Sequence, residues 1–168
     1  MAKGHRTATR QNNRTVPFLF DASIQEDWID YNGHMRDAYY GLVFSYAVDA
    51  LQDAVGFDAE YRARTGATIY LVEDHKRYLK EVHAGARVQV ETVVLGVTDK
   101  AFHLHMTMRQ AGVAVCIGEF LELHVRQKPA PHAVPMPQHI RASLEAALAD
   151  RAQRAALPGR ARPIALKP

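Results

Sequence analysis

One stretch of the chain concentrates side chains that could carry chemistry. It runs from Trp28 to Tyr40 and reads WIDYNGHMRDAYY. The Asp30 carboxylate could attack an activated ester carbonyl, or it could activate a water molecule to do so. Asn32-Gly33 is a strong turn signal, and Gly33 allows a backbone N–H group to approach a ligand closely. A carboxylate beside well-aimed N–H donors is a minimal apparatus for hydrolysing an activated ester.

A long apolar helix is predicted to follow this stretch, over about 36–55, with Gly56 as its C-terminal cap. Its apolar residues leave little polar surface, so we expect the helix to be largely enclosed. The first N–H groups of a helix have no intrahelical partner and lie at the positive end of its dipole. An acyl carbonyl near Gly33 and His34 would be polarised there, as in an oxyanion hole.

The same residues are also open to a purely structural interpretation. Asp30 or Asn32 could cap the helix or hold the turn, and His34 could be a hydrogen-bonded structural histidine. Aromatic residues near a helix start more often belong to a core or an interface than to a ligand cage. Those of this stretch are Trp28, Tyr31, Tyr39 and Tyr40.

The remaining pattern predicts a sheet around the helix. One strand precedes the helix and a short helical segment follows it, at 16–24 and 57–66. Four further strands are indicated by apolar and polar residues in alternation. They cover 67–80, 86–97, 101–110 and 113–126, with a possible bulge at Gly118.

Two segments complete the predicted fold. Residues 128–137 contain four prolines and should be irregular, and 138–156 has the pattern of an amphipathic helix. A sheet that wraps one helix leaves its other face and an edge strand uncovered. Dimerisation is the simplest way to cover both.

A second carboxylate draws attention on its position alone. Strict alternation along the strand 67–80 places Glu73 on the same face as Ile69 and Leu71. A carboxylate on an apolar strand face needs a partner or a purpose. It could orient water, pair with His75 or His34, or bind a cationic acyl group. The alternative is a bulge that turns Glu73 outward.

Charge is divided unevenly along the chain. Residues 1–14 carry four basic side chains and 151–168 carry five, neither with an acid, although the net charge is only +3. The ends could be polyanion-binding arms or solvated, mobile tails. No aromatic residue is interleaved with these charges, which argues against single-stranded nucleic acid as a partner.

Composition and motifs exclude several classes of protein. The 168 residues suit one domain, and no apolar run approaches the roughly 18 residues of a membrane helix. A lone Cys116 and the absence of a visible secretory signal favour a cytoplasmic protein. His103-x-His105 falls on the polar face of a strand, where a solvated face is expected rather than a metal site. The sequence contains no nucleophile elbow, P-loop or dinucleotide fingerprint. With the histidine spacing also unsuited to a metal site, we expect neither a metal nor a cofactor.

Two segments resemble a known family, the hotdog-fold acyl-CoA thioesterases of the 4-hydroxybenzoyl-CoA type. Asp30-x-x-Gly33-His34-Met35, followed by Tyr39-Tyr40, resembles the family's active-site segment. Residues 73–85 match its pattern E-x-x-x-x-Y-L-x-x-V-x-x-G, and the resemblance covers about 16–126. The fuller string around Asp30 is most similar to the betainyl-CoA thioesterases, which occur alone or fused to carnitine dehydrogenase.

The resemblance implies an α+β hotdog fold, with a long central helix wrapped by a five-stranded antiparallel sheet and a C-terminal helix added. The corresponding division is a basic tail at 1–14, the thioesterase domain at 15–127, and a proline-rich segment, helix and basic tail at 128–168. The family also implies a homodimer or dimer of dimers with the active site between subunits. Many relatives have Asn at one or both positions held here by Arg36 and Asp37, which leaves acyl specificity open.

The activity expected on these grounds is hydrolysis of a small acyl-CoA thioester, with betainyl-CoA giving glycine betaine and CoA. Asp30, Gly33, His34 and Glu73 are the expected catalytic residues; Trp28, Tyr31, Asn32, Tyr39 and Tyr40 are expected to bind the substrate. A trimethylammonium group suits aromatic faces. The candidates for binding CoA phosphates are Lys76, Arg77, Lys80 and Arg109. The alternatives are an acyl-CoA hydratase or dehydratase on the same fold, and a non-catalytic acyl-CoA-binding protein.

Overall fold

A curved antiparallel sheet packs against one long helix in the computed structural model, which describes residues 17–160. The sheet has the strand order β1-β3-β4-β5-β2, and a short β6 pairs with β5. This is the α+β arrangement that the sequence predicts. The strands are β1 Phe18–Ser23, β2 Ala67–Tyr78, β3 Arg87–Val97, β4 Ala101–Gln110, β5 Val113–Arg126 and β6 His132–Ala133.

The central helix, α1, spans Asp37–Val55 and buries one face against the sheet. Gly56 ends it in the left-handed conformation, and the Gly56 N–H donates to Gln52 O. A second helix, α2 (Ala59–Thr65), follows at once. The opposite face of α1 is exposed at Ser45, Tyr46 and Asp53. In the single chain the helix is therefore less enclosed than the largely enclosed helix that the sequence predicts, because the sheet covers only one side.

The register of the sheet shifts at three places, and none of them is Gly118. The extra residue lies at Val72 in β2, Leu95 in β3 and Val115 in β5. Gly118 instead pairs regularly with Met106 and Lys76. Glycine is needed there because a Cβ atom would lie 2.6 Å from the Phe120 ring.

The predicted helix over 138–156 is in fact two helices, α3 (Gln138–Ala146) and α4 (Arg151–Ala155). Between them Leu148 forms a parallel bridge with Val94 of β3, and the Ala149 N–H donates to Val94 O at 2.9 Å. Hydrogen bonding to β3 therefore interrupts the helix. Asp150 starts α4 with a capping box.

The C-terminal segment 157–160 covers part of the outer face of the sheet, the face turned away from α1, around His105 and Glu119. His105 Nε2 donates to Gly159 O at 2.7 Å, and Arg160 donates to both carboxylate oxygens of Glu119. His105 is consequently only 1% exposed. The expected solvated face is therefore wrong at His105, and the expected free tail is wrong at Arg160.

The ends of the chain, residues 1–16 and 161–168, lie outside the described part of the structure, and with them most of the predicted basic tails. Within residues 17–160, no helix is both long and apolar enough to cross a membrane.

Glu122 is a carboxyl group in the core. It lies on β5, on the same side as Phe120 and His124, which face the helices. Its side chain is 3% exposed. Burial, together with the nearby charge of Asp49, raises the pKa of Glu122 to about 7. The folded chain thus holds a proton at Glu122 at pH values where the unfolded chain has already released it.

This raised pKa predicts a pH-dependent stability difference between the wild type and Glu122→Gln. Between the ordinary glutamate value of 4.5 and about 7, the folded state binds more protons than the unfolded state. The free energy of unfolding therefore falls as pH rises through this window. Relative to the glutamine variant, the wild type should lose up to about 3 kcal/mol between pH 4.5 and pH 8.

Urea denaturation of both proteins at these pH values measures the difference. His105 and His124, whose pKa values burial lowers, titrate in both proteins and cancel in the comparison. A difference that does not change with pH would show that Glu122 is ionised in the folded chain throughout this range.

Candidate functional site

A tight loop at residues 30–34 carries the residues of greatest chemical interest. Ile29 and Met35 form an isolated antiparallel bridge at its base, and the Asp30 N–H donates to His34 O at 2.9 Å. Gly33 has φ +81°, a conformation that favours glycine. The Asn32-Gly33 turn signal is thereby confirmed.

The Asp30 carboxylate is held by this loop. Its Oδ1 accepts hydrogen bonds from the Asn32 N–H at 2.8 Å and the His34 N–H at 3.2 Å. The His34 N–H is the main cause that lowers the pKa of Asp30, and the Asn32 N–H adds to it. Oδ2 receives only a long bond of 3.5 Å from the Asn32 side chain. The carboxylate is therefore ionised at neutral pH and fixed through one oxygen, and Asp30 as a whole is half-exposed.

Both N–H groups expected to bind the acyl carbonyl oxygen already have acceptors within the loop. The Gly33 N–H donates to Asp30 O at 3.1 Å, and the His34 N–H is used by the Asp30 side chain. Because α1 begins at Asp37, the N–H groups that the helix start leaves without intrahelical partners belong to Asp37 and Ala38.

The aromatic residues do not form one cage in the single chain. Trp28 and Tyr39 are half-buried and stack with ring centroids 5.2 Å apart. Tyr40 is buried with its ring edge-on to Tyr78 at 5.1 Å. Tyr31 is 97% exposed. The core interpretation therefore holds for Tyr40, while the other three remain accessible.

Glu73 does not share a face with Ile69 and Leu71. The bulge at Val72 shifts the register, so Leu71 pairs with Glu122 on the helix side and Glu73 pairs with Leu121 on the outer side. Its side chain is exposed. The placement by strict alternation is therefore wrong, and the bulge alternative is the observed one.

Asp74 takes the helix-facing position expected for Glu73. It pairs with Phe120 in the register and forms an ion pair with Lys76. A carboxylate thus lies on this face of β2, but it is already neutralised by its neighbour.

The four cations considered for CoA do not converge. Lys76 Nζ lies 5.8 Å from the centre of the Phe120 ring, on the helix side, whereas Arg77 lies beside Gly159 on the outer face. Lys80 is exposed after the end of β2. Arg109, on β4, donates to Glu91 at 2.9 Å and to Gly112 O at 3.2 Å. Lys76, Arg77 and Lys80 are close to one another in sequence, but the structure does not bring all four cations together.

Sequence reasoning missed two residues beside His34. His34 Nε2 lies 3.4 Å from Glu81 Oε2, and the His34 ring contacts the His83 ring edge-on at 5.1 Å. His83 Nδ1 donates to Gly33 O at 2.9 Å. The available signal was the alternation Glu81-Val82-His83, in which two polar residues flank a buried valine.

Comparisons with known proteins identify the family of the chain. Residues 24–144 match the family model of the Thioesterase-like superfamily. Over 129 residues the chain is 39% identical to betainyl-CoA thioesterase of Pseudomonas aeruginosa, covering 76% of this chain and 80% of that protein. Over 142 residues it is 43% identical to L-carnitine dehydrogenase/betainyl-CoA thioesterase of Agrobacterium fabrum, covering 80% of this chain but only 29% of that longer protein.

A solved structure supports the same assignment. The crystal structure of a putative thioesterase from Pseudomonas putida KT2440 superposes with a TM-score of 0.76 at 33% identity, covering 90% of this chain and 98% of that one. Sequence and fold therefore lead to one conclusion: the chain belongs to the Thioesterase-like superfamily and is a thioester hydrolase with the hotdog fold.

Proposed function

We propose that this protein hydrolyses a small acyl-CoA thioester and that betainyl-CoA is its substrate. The observation that carries the proposal is the Asp30 carboxylate, ionised and held by two backbone N–H groups in the loop that precedes α1. The relatives named for betainyl-CoA, at 39% and 43% identity, support the choice of acyl group. The products would be glycine betaine and CoA.

Asp30 can act through Oδ2 by two routes. As a nucleophile, Oδ2 attacks the carbonyl carbon, the C–S bond breaks, and CoA thiolate leaves and takes a proton. Water then hydrolyses the mixed anhydride and restores the carboxylate. As a general base, Oδ2 removes a proton from the water molecule that attacks the carbonyl carbon directly. In both routes Oδ1 keeps its hydrogen bonds to the turn.

The developing negative charge on the carbonyl oxygen needs donors. The N–H groups of Asp37 and Ala38 start α1 and point along its axis toward the loop. They lie at the positive end of the helix dipole, which favours an oxyanion. The thioester carbonyl therefore accepts from the helix start while its carbon faces Asp30.

The acyl group of betainyl-CoA is a quaternary ammonium ion, which aromatic faces bind well. Trp28 and Tyr39 offer a stacked, half-buried pair near the turn, and Tyr31 offers a ring that is accessible in the single chain. A cage around the trimethylammonium group would require further aromatic side chains. In the proposed arrangement these come from a second copy of the chain.

The uncovered edge of the sheet supports a homodimer. β2 pairs with β5 along one side only, and its exposed residues include Tyr70, Leu71 and Val72. A long, apolar edge strand is an aggregation hazard unless another strand or element covers it. Pairing of β2 edges from two copies covers it, and it brings a second surface toward the site.

The first prediction is that Asp30→Asn lowers kcat for betainyl-CoA by at least about 100-fold. Asparagine can accept the same two N–H bonds through Oδ1, so the turn should persist while the carboxylate chemistry is lost. Release of CoA thiol, followed with a thiol reagent, measures the rate. Asp58→Asn is the matched control, because Asp58 only caps α2 through the Tyr61 N–H and asparagine caps equally well. Full activity in Asp30→Asn would remove Asp30 from the mechanism.

The second prediction concerns the acyl group. 3,3-Dimethylbutyryl-CoA has the shape of betainyl-CoA with carbon in place of the charged nitrogen. After correction for the uncatalysed hydrolysis rates, kcat/KM should favour betainyl-CoA by about tenfold, and Trp28→Leu should reduce this preference. Equal values for both substrates would exclude recognition of the cation.

The same assay separates the alternative functions. Loss of an enoyl-CoA without thiol release would indicate a hydratase. Calorimetric binding of acyl-CoA without turnover would indicate a binding protein.

The third prediction is that the wild type has twice the mass of the 18.8 kDa chain in solution. Leu71→Lys places a charge on the β2 edge and should shift the protein toward the monomer. Val113→Lys adds the same charge at another exposed apolar position, outside that edge, and should leave the dimer intact. Size-exclusion chromatography with light scattering measures the mass, and a monomeric wild type would contradict the arrangement.

A further inference from the structure

Three metal-ligating side chains converge beside the turn that holds Asp30. One ligand atom from each of His34, Glu81 and His83 lies within 4.8 Å of the others. We infer that this His-Glu-His cluster binds one divalent transition-metal ion of the zinc class. The inference does not depend on the proposed function, because it rests on these three side chains and not on the chemistry of Asp30.

The fold brings the ligands together through two buried anchors. His34 precedes Met35, and Glu81 and His83 flank Val82; both anchor side chains are buried. The Met35 N–H donates to Val82 O at 2.7 Å, which joins the two segments side by side. Successive side chains in extended chain point in opposite directions, so the neighbours of a buried residue project outward. The ligands therefore lie on one surface, positioned by core packing.

The spacing of the first two ligand atoms suits a metal ion. His34 Nε2 and Glu81 Oε2 are 3.4 Å apart. Two bonds of about 2.0–2.2 Å at a tetrahedral angle separate ligand atoms by about 3.4 Å. A charge-assisted hydrogen bond between the same groups would be shorter, about 2.7–2.9 Å. The pair is thus set at the separation that an intervening ion requires.

His83 is oriented as a ligand by its second nitrogen. Nδ1 donates to Gly33 O at 2.9 Å, so Nε2 is left unprotonated in the neutral ring. Metal-binding histidines commonly donate their other N–H to a backbone carbonyl, which fixes the tautomer and the ring. Here that carbonyl belongs to the same turn that positions His34.

The donor set indicates the class of ion. Two imidazoles and one carboxylate suit zinc and its neighbours in the first transition row, whereas magnesium and calcium prefer oxygen ligands. Three protein ligands leave a fourth position for water. Glu81 and His83 are exposed and His34 is half-buried, so an ion can reach the cluster from solvent. A bound ion would connect the loop before α1 to the segment after β2.

The experiment is calorimetric titration of ZnCl₂ into the full chain, freed of metal with a chelator and of any affinity tag. We expect one ion per chain. Glu81→Gln and His83→Ala should each weaken binding by at least about tenfold. His139→Ala is the matched control, because His139 is an exposed histidine on α3, outside the cluster. The zinc affinity of this variant should equal that of the wild type.

A second readout distinguishes this cluster from other histidines. Zinc should raise the Tm of the wild type and of His139→Ala but not that of Glu81→Gln, which replaces an exposed side chain and so should leave the fold intact. Absence of binding to the wild type, or equal binding by all variants, would overturn the inference. Neither measurement uses an acyl-CoA, so failure here leaves the proposed thioesterase activity to its own tests.

Discussion

The hydrogen bonds from the Asn32 and His34 N–H groups to Asp30 Oδ1 are the constraint on which the candidate site depends. They close the loop 30–34, lower the pKa of the carboxylate, and leave Oδ2 with only the long bond from the Asn32 side chain. The structural and the chemical interpretations of Asp30 are therefore compatible. Oδ1 holds the turn through its two hydrogen bonds, and Oδ2 is left available for chemistry.

The sequence predicts most of the fold because its periodicities are strong. Alternation defines β3 and β4, and Gly56 ends α1 where a helix cap is expected. What it misses depends on contacts between distant segments. The residue types of β2 do not indicate the bulge at Val72, yet this extra residue moves Glu73 to the outer face. The Ala/Leu pattern of 138–156 continues through the point where Leu148 bonds to β3 and the helix stops.

The candidate site shows the same limit. The turn, its glycine and its carboxylate are consecutive, so the sequence predicts them together. Glu81 and His83 reach His34 only because the Met35 N–H finds Val82 O. No local pattern encodes that bond, since each segment looks like an ordinary connection by itself. Likewise, the N–H groups of Gly33 and His34 are bonded to Asp30 within the turn, so the N–H groups without intrahelical partners at the start of α1 are those of Asp37 and Ala38.

The C-terminal segment limits where a second subunit can bind in the proposed dimer. Residues 157–160 lie beyond the match to the family model, which ends at 144, and they cover the outer face at Glu119. This carboxylate is buried and bonded to Arg160 and His103. A subunit that displaced the segment would break the bond between Arg160 and this buried carboxylate, which is unfavourable because a buried charge needs its partners. Among residues 17–160, the edge of β2 and the exposed side of α1 carry no such cover, and the proposed contact between subunits is placed there for that reason.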